Sequence, residues 1–387
     1  MNEAVPANSR EAWRHVRAEL NKHRHELAAV ASGLYPDVSR VRGTPLMCRP
    51  EWVPECPIPL DQVALRWTEH APSPAVTGAE DASASVRPTD REGRQYPTYA
   101  AALAALDPPA RFEDRLAYRL LTADLASEYR AAGMRLTSSR YYDGVNISEA
   151  LGHELAAAWL DDPLVTMDRL PFRGLLGDPF DLARRSAGNA ITTLTIRRGA
   201  AADASFLLHW RDPAKVTHAG GMYQVMPVGV FQPADDNSAS TRNDLSMWRS
   251  MVREFSEELL GTAEEYASLG SPLDYGRWPF YRELAVARDA GKLNVWCLGV
   301  GADPLTLAID ILTVAVFEAG VFDALFGGLV AANAEGRVVG RDAGSPTPGV
   351  PFSADAIDRI TGGAEPLQAA GAAVLRSAWA HRKTLLA

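Results

Sequence analysis

Along residues 9–31, Trp13, Val16, Leu20, Leu27 and Val30 recur at near-helical spacing, and Ser9 stands where a cap belongs, so the pattern predicts a helix. Six prolines between Gly33 and Pro59 predict an extended segment laid over other structure. Residues 71–97 hold Ala, Ser, Pro and charge with almost no large apolar side chain, the composition of a flexible linker or exposed loop. Helical patterns resume over 110–132, ended by Gly133, and over 147–160.

After about residue 187 the pattern changes. NAITTLTIRR (189–198) and ASFLLHWRD (204–212) are β-branched and aromatic, and GMYQVMPVGVFQP (221–233) is a third strand-like run interrupted at Pro227. A polar loop (234–244) leads to a helix over 245–260. A helix over 279–291, strands over 292–301 and 310–318, and a helix over 321–336 follow. The C-terminal helical stretch 353–384 is interrupted around 361–366. Strands alternating with helices predict an α/β or α+β domain. The division expected is 1–186, mainly helical with its linker near 71–97, then 187–335 as the second domain, then a C-terminal helical segment 336–387.

Composition narrows the class. Of 387 residues 47% are hydrophobic and 22% charged, enough for a buried core, and the net charge of −9 argues against a protein built to coat nucleic acid or an anionic membrane. No helix-turn-helix pattern is evident, so no direct nucleic-acid binding is expected. Cys48, Cys56 and Cys297 lack CxxC spacing and are expected as free thiols in a reducing cytoplasm. The N-terminus has no apolar signal region, and the longest apolar run, 305–332, is broken by Asp310, Glu318 and Asp323, so no membrane segment is expected. The apolar face of helix 9–31 is a candidate homodimer surface.

Chemistry concentrates in MVREFSEELLG (251–261). On an α-helix Glu254, Glu257 and Glu258 would stack on one face, and their mutual repulsion must be offset by water, a basic partner such as Arg253, or a hard divalent cation. Trp248, Met251, Val252, Phe255 and Leu259 form the docking face. Other clusters are weaker. His23 and His25 cannot share a helix face, and His153-Glu154 lacks the second His of HExxH.

The R-E-F-S-E-E core at 253–258, following strand-like runs and Pro227-Val228-Gly229, resembles the Nudix box G-x5-E-x7-R-E-U-x-E-E-x-G-U, over a region spanning roughly 187–335. Residues 1–186 resemble N-terminal extensions of actinobacterial Nudix-like proteins, some of them regulators. Leu245 stands where the first Glu of the box belongs, with Asp244 beside it. Leu260 stands where the last Gly belongs, Gly261 comes one residue late, and the loop from Gly229 to Arg253 is about ten residues longer than the family spacing.

The resemblance implies an α+β fold, a Nudix-like α/β/α sandwich, binding Mg²⁺ (or Mn²⁺). It implies Glu254, Glu257 and Glu258 as metal ligands, Glu254 alternatively as the base preparing a water, and Arg253 as the residue orienting the carboxylates. Arg197, Arg198, His209, Arg211 and Lys215 are candidate phosphate partners. Asp303 and Glu283 are candidates for a remote ligand, and Asp235, Asp236 and Asp244 are acids of the inserted loop. The expected function is hydrolysis of a nucleoside-diphosphate-linked small molecule, in the cytoplasm. The alternative is a Nudix-like domain that senses such a nucleotide or diphosphate ligand without consuming it.

Overall fold

A computed structural model of the protein describes residues 9–126, 131–199, 203–211, 221–262, 272–327, 336–339, 349–363 and 366–387. The N-terminal half contains helices α1 (Ser9–Lys22), α2 (Arg24–Gly33), α3 (Tyr99–Leu106), α4 (Tyr141–Asp161) and α5 (Pro171–Leu176). Its strands are β1 (Ile58–Pro59), β2 (Ala64–Trp67), β3 (Leu116–Asp124) and β4 (Gly133–Arg140). The remainder contributes strands β5 (Asn189–Arg198), β6 (Ala204–Phe206), β7 (Leu208–Arg211), β8 (Tyr223–Val225), β9 (Val228–Val230), β10 (Leu293–Ala302), β11 (Ile309–Glu318), β12 (Gly336–Val339) and β13 (Val350–Pro351). Its helices are α6 (Ser238–Asn243), α7 (Met247–Glu254), α8 (Pro279–Asp289), α9 (Ala319–Phe326), α10 (Ala354–Thr361), α11 (Ala369–Ala380) and α12 (Arg382–Leu385).

The main sheet runs β1-β10-β11-β5-β6-β13, with β9 also paired to β5; β11 and β5 are parallel and the remaining pairs antiparallel. Its central strands are buried on both faces, and residue parity says which face is which. On β11, Ile309, Ile311, Ala315 and Phe317 join the core under α7, while Leu312, Val314 and Val316 join the core under α11. Phe255 anchors the first side with its ring 5.6 Å from that of Phe317 and edge-on to it, and full burial of such a side chain stabilises by about 1.5–3 kcal/mol. Helices thus cover both faces of a mixed sheet, an α+β arrangement with three layers.

Several expectations need correction. Among the described residues of 110–132 there is no helix. Leu116–Asp124 is β3, antiparallel to β4 in a three-stranded sheet β2-β4-β3. Its Ala, Leu and Arg content favours helix, but the packing has period two. Tyr118 meets Trp67 and Phe231, while Arg119 between its neighbours reaches the carbonyls of Leu182 and Ala183. Gly133 opens β4 instead of ending a helix, since a Cβ there would lie 2.7 Å from the Ala64 carbonyl oxygen. The N-terminal half is therefore mixed, not mainly helical.

Residues 71–97 are packed down. Val76 and Val86 are buried, Trp13 Nε1 donates to the Val86 carbonyl at 3.0 Å, and Arg87 ties the carbonyls of Ala79, Glu80 and Pro97 together. Small residues that looked like a linker sit close to α4 because small residues fit there. One core cluster runs from Trp13 through Tyr118 to Phe326, so packing crosses the 186/187 boundary. The apolar face of α1 and α2 is covered from within the chain: Leu20 and Leu27 pack on Leu155 and Ala156 of α4, which removes that face as a dimer surface. Among the described residues no helix is long and apolar enough to cross a membrane. Cys48, Cys56 and Cys297 are free thiols, the first and last buried.

Candidate functional site

A cavity of about 650 Å³ lies where the two halves meet. The junction between β4 and α4 forms part of its wall. There the Arg140 N–H donates to Asp143 Oδ2 at 2.9 Å and the Tyr142 N–H to Asp114 Oδ1 at 3.0 Å, fixing where the helix starts. Gly144 then lets the first turn of α4 approach the entry to β5, because a Cβ would meet the Gly188 Cα at 3.1 Å. This half supplies Arg111, Arg115 and Arg140 to the lining, together with the acids Glu113 and Glu149. Arg140 is itself anchored, to Asp114 at 2.8 Å and Asp236 at 3.1 Å. The sheet side supplies Arg211, Glu254, Glu257, Asp303 and Asp310.

The expected helix carries its glutamates differently from an α-helix. Ser246 caps α7 by accepting from the Arg249 N–H at 3.3 Å, but α7 gives way at Phe255–Leu259 to a π-helical turn. Hydrogen bonds five residues apart widen that turn by one residue, so the 254/257/258 spacing no longer follows α-helical geometry. Glu254 and Glu257 line the cavity. Glu258 is only 5% exposed, and its Oε1 accepts from the Val228 N–H at 3.0 Å, which satisfies a donor at the start of β9. The next residue is Gly229, and the Glu254 carboxylate occupies the space its side chain would fill.

Arg253 is buried. It donates to the Tyr275 hydroxyl and, at 2.5 Å, to the Gln232 carbonyl, and it lies 3.8 Å from Asp244. Burial alone would lower the Arg253 guanidinium, but Tyr275, Asp244 and Glu254 together raise it, so it stays charged. Asp244 is fully buried, accepting from the Ala234 N–H at 2.7 Å and the Tyr275 hydroxyl at 2.9 Å. It supports the inserted loop and is not a cavity acid. Leu245 and Leu260 pack against the core.

Among the described residues, no three His, Cys, Asp or Glu side chains are gathered so as to hold a metal ion. Of the glutamates expected to hold Mg²⁺ (or Mn²⁺), Glu258 has one oxygen engaged by a backbone donor, while Glu254 and Glu257 line the cavity. Of the candidate phosphate partners among the described residues, Arg211 alone lines the cavity. Arg197 pairs with Asp323, Arg198 reaches the carbonyl oxygens of Leu386 and Ala387, His209 is buried, and Lys215 lies outside the described residues. Asp303 is in the lining, whereas Glu283 is exposed on α8. Asp235 accepts from the Asn237 N–H, and Asp236 from the Leu116 N–H. His153 is buried against Tyr99 and Trp13, its pKa pushed down to about 3 by burial, and Glu154 accepts the N–H groups that open α5. Sequence reading missed Arg111, Arg115 and Arg140, which become neighbours of the glutamates only through the β3–β4–α4 unit.

No family model matches the chain, and no curated protein matches it. Among solved structures, a similar chain is the crystal structure of a NUDIX hydrolase from Alicyclobacillus acidocaldarius, 18% identical, covering 49% of this chain and 90% of that one, with a TM-score of 0.26. Likeness at that level carries no argument about fold or activity.

Proposed function

We propose that the protein is a Nudix-like ligand-binding domain whose cavity takes a nucleotide or related diphosphate without metal-dependent turnover. The observation that carries this reading is the lining itself. Arg111, Arg115 and Arg140 from one half and Arg211 from the other surround a volume suited to a nucleotide-sized ligand. Arginine forks match phosphate oxygens in pairs, and acids in the same wall can accept from hydroxyl or amide groups. Of the three box glutamates, one serves the fold, which favours binding over hydrolysis.

The test is thermal unfolding of the full chain with ADP, UDP, ADP-ribose and UDP-glucose, each with and without Mg²⁺, and chromatography of the nucleotide afterwards. A ligand present at 100 times its Kd should stabilise by about 2.7 kcal/mol and be recovered intact. No shift with any member of the set would sink the reading. A second reading, metal-dependent hydrolysis of a diphosphate, is favoured by Glu254 and Glu257 lining the same cavity. Mg²⁺-dependent product that disappears in Glu257→Gln would establish it over the first.

A further inference from the structure

The turn between β10 and β11, residues 303–308, is built more heavily than a hairpin connection needs. Its backbone is closed by two bonds of 2.8 Å, Asp303 N–H to the Ala308 carbonyl and Leu307 N–H to the Asp303 carbonyl. Leu307 sits at φ 54, a left-handed conformation that bulky residues rarely adopt, and its side chain is buried. Two buried arginines from distant sequence hold the turn. Arg173 donates to the carbonyls of Pro304 (2.9 Å) and Leu305, and Arg185 donates to that of Leu307 (2.8 Å). Among the described residues neither guanidinium has a carboxylate at ion-pair distance, so two buried charges are compensated by carbonyl dipoles and, for Arg173, by the Tyr35 hydroxyl and ring, a costly arrangement.

What the clamp places is Asp303. Its Oδ1 accepts from both the N–H and the hydroxyl of Thr306, each at 2.9 Å, which fixes the plane of the carboxylate. Asp303 lines the cavity, and Ala308 and Ile309 line it beside that turn. Among the described residues Oδ2 has no hydrogen-bond partner. An ionised carboxylate oxygen only accepts, so its complement is a donor on the ligand.

We propose that residues 303–308 form a specificity turn: Asp303 Oδ2 accepts a hydrogen bond from a sugar hydroxyl of the bound nucleotide. Thr306, Arg173 and Arg185 act as positioning residues. This rests on the cavity being the ligand site, and the test separates the two failures. Binding of ADP and UDP to the full chain is measured by calorimetry against their 2′,3′-dideoxy counterparts, which lack only the ribose hydroxyls. Wild type should prefer the hydroxylated nucleotide by about tenfold or more, the worth of a hydrogen bond to a charged acceptor. Asp303→Asn keeps an acceptor for Thr306 but turns the other atom into a donor. It should abolish the preference, with the loss falling on the hydroxylated nucleotide.

Thr306→Ala, which loses one of the two orienting bonds, should narrow the preference and serves if Asp303→Asn does not fold. An equal preference in wild type and both variants would overturn the role of Asp303 and leave the cavity reading standing. So would a uniform loss of affinity for both nucleotides in Asp303→Asn. Wild type binding none of the four nucleotides would overturn this inference, while the site reading would still be decided by ADP-ribose and UDP-glucose.

Discussion

Gly229→Ala isolates the cavity role of Glu254 from the stability of the fold. A methyl group at 229 would overlap the carboxylate carbon and both oxygens of Glu254, closer than any non-bonded pair can come, and no other atom ranks among its three nearest neighbours. Gly229 is not among the glycines at positive φ, so alanine suits its backbone. The obstructing atoms end a flexible side chain, and Glu254 can turn away at a rotamer cost of about 0.5–1.5 kcal/mol. Against this, alanine in place of glycine inside a strand gains roughly 0.5–1 kcal/mol. The two nearly cancel. Stability should change by no more than about 1 kcal/mol, read as the urea midpoint with an unchanged slope.

Binding should not be spared. The displaced carboxylate has the cavity as its nearest free volume, so it would both leave its place in the lining and intrude on ligand space. Loss of a contact to a charged group is worth about 1.5–3 kcal/mol, hence at least tenfold in Kd for whichever nucleotide the wild type binds. The same titration on Glu254→Gln, which keeps size and removes charge, provides the reference. A Gly229→Ala protein that binds as wild type would refute the placement of Glu254. A loss above about 3 kcal/mol of stability would show that the methyl group strikes backbone instead.

Three further outcomes follow from the same geometry. Glu258→Ala should cost about 1–3 kcal/mol in urea unfolding by orphaning the Val228 N–H, whereas Glu258→Gln, which keeps an acceptor oxygen, should cost less than about 1. Arg253→Met should destabilise by about 3–5 kcal/mol, because it strips the buried Asp244 carboxylate of its cation, and equal stability would contradict the network described. His153 is held neutral when folded, with a pKa of about 3 against 6.5 unfolded, so the unfolded chain binds the extra proton between those values. Its contribution is fully present above pH 6.5 and is lost as pH falls toward 3, at up to about 1.4 kcal/mol per unit; unfolding midpoints from pH 7 to 4 should flatten in His153→Gln.

Much of the sheet was legible because its central strands are apolar on both faces. β5 and β11 read as β-branched runs, and β10 as a largely apolar one. β3 was not legible, since Leu, Ala and Arg at Leu116–Asp124 favour helix and only pairing with β4 decides otherwise. That one reversal hid half the site. Arg140 reaches the cavity because β4 ends where α4 begins, and Arg111 and Arg115 reach it from the approach to β3. The glutamates were found by their residue types, but their directions were not, because the spacing of 254, 257 and 258 carries no mark of the π-helical turn at Phe255–Leu259.

The charge density at 253–258 therefore divides into two functions that one helix face could not have revealed. Arg253 and Glu258 act on architecture, one tying the inserted loop through Asp244 and Tyr275, the other completing the start of β9. Glu254 and Glu257 act on the cavity. If that division is right, substitutions from the two sets are separable. Glu254→Gln, which keeps the side chain's size but withdraws a charge that supports Arg253, should shift nucleotide affinity more than the unfolding midpoint, and Glu258→Ala should do the reverse. Two carboxylates set against the neighbouring residues Val228 and Gly229 should couple in the double variant by more than about 0.5 kcal/mol even without metal. A coupling that grows when Mg²⁺ is added would mean that they share a metal ion, and would return the hydrolase reading to first place.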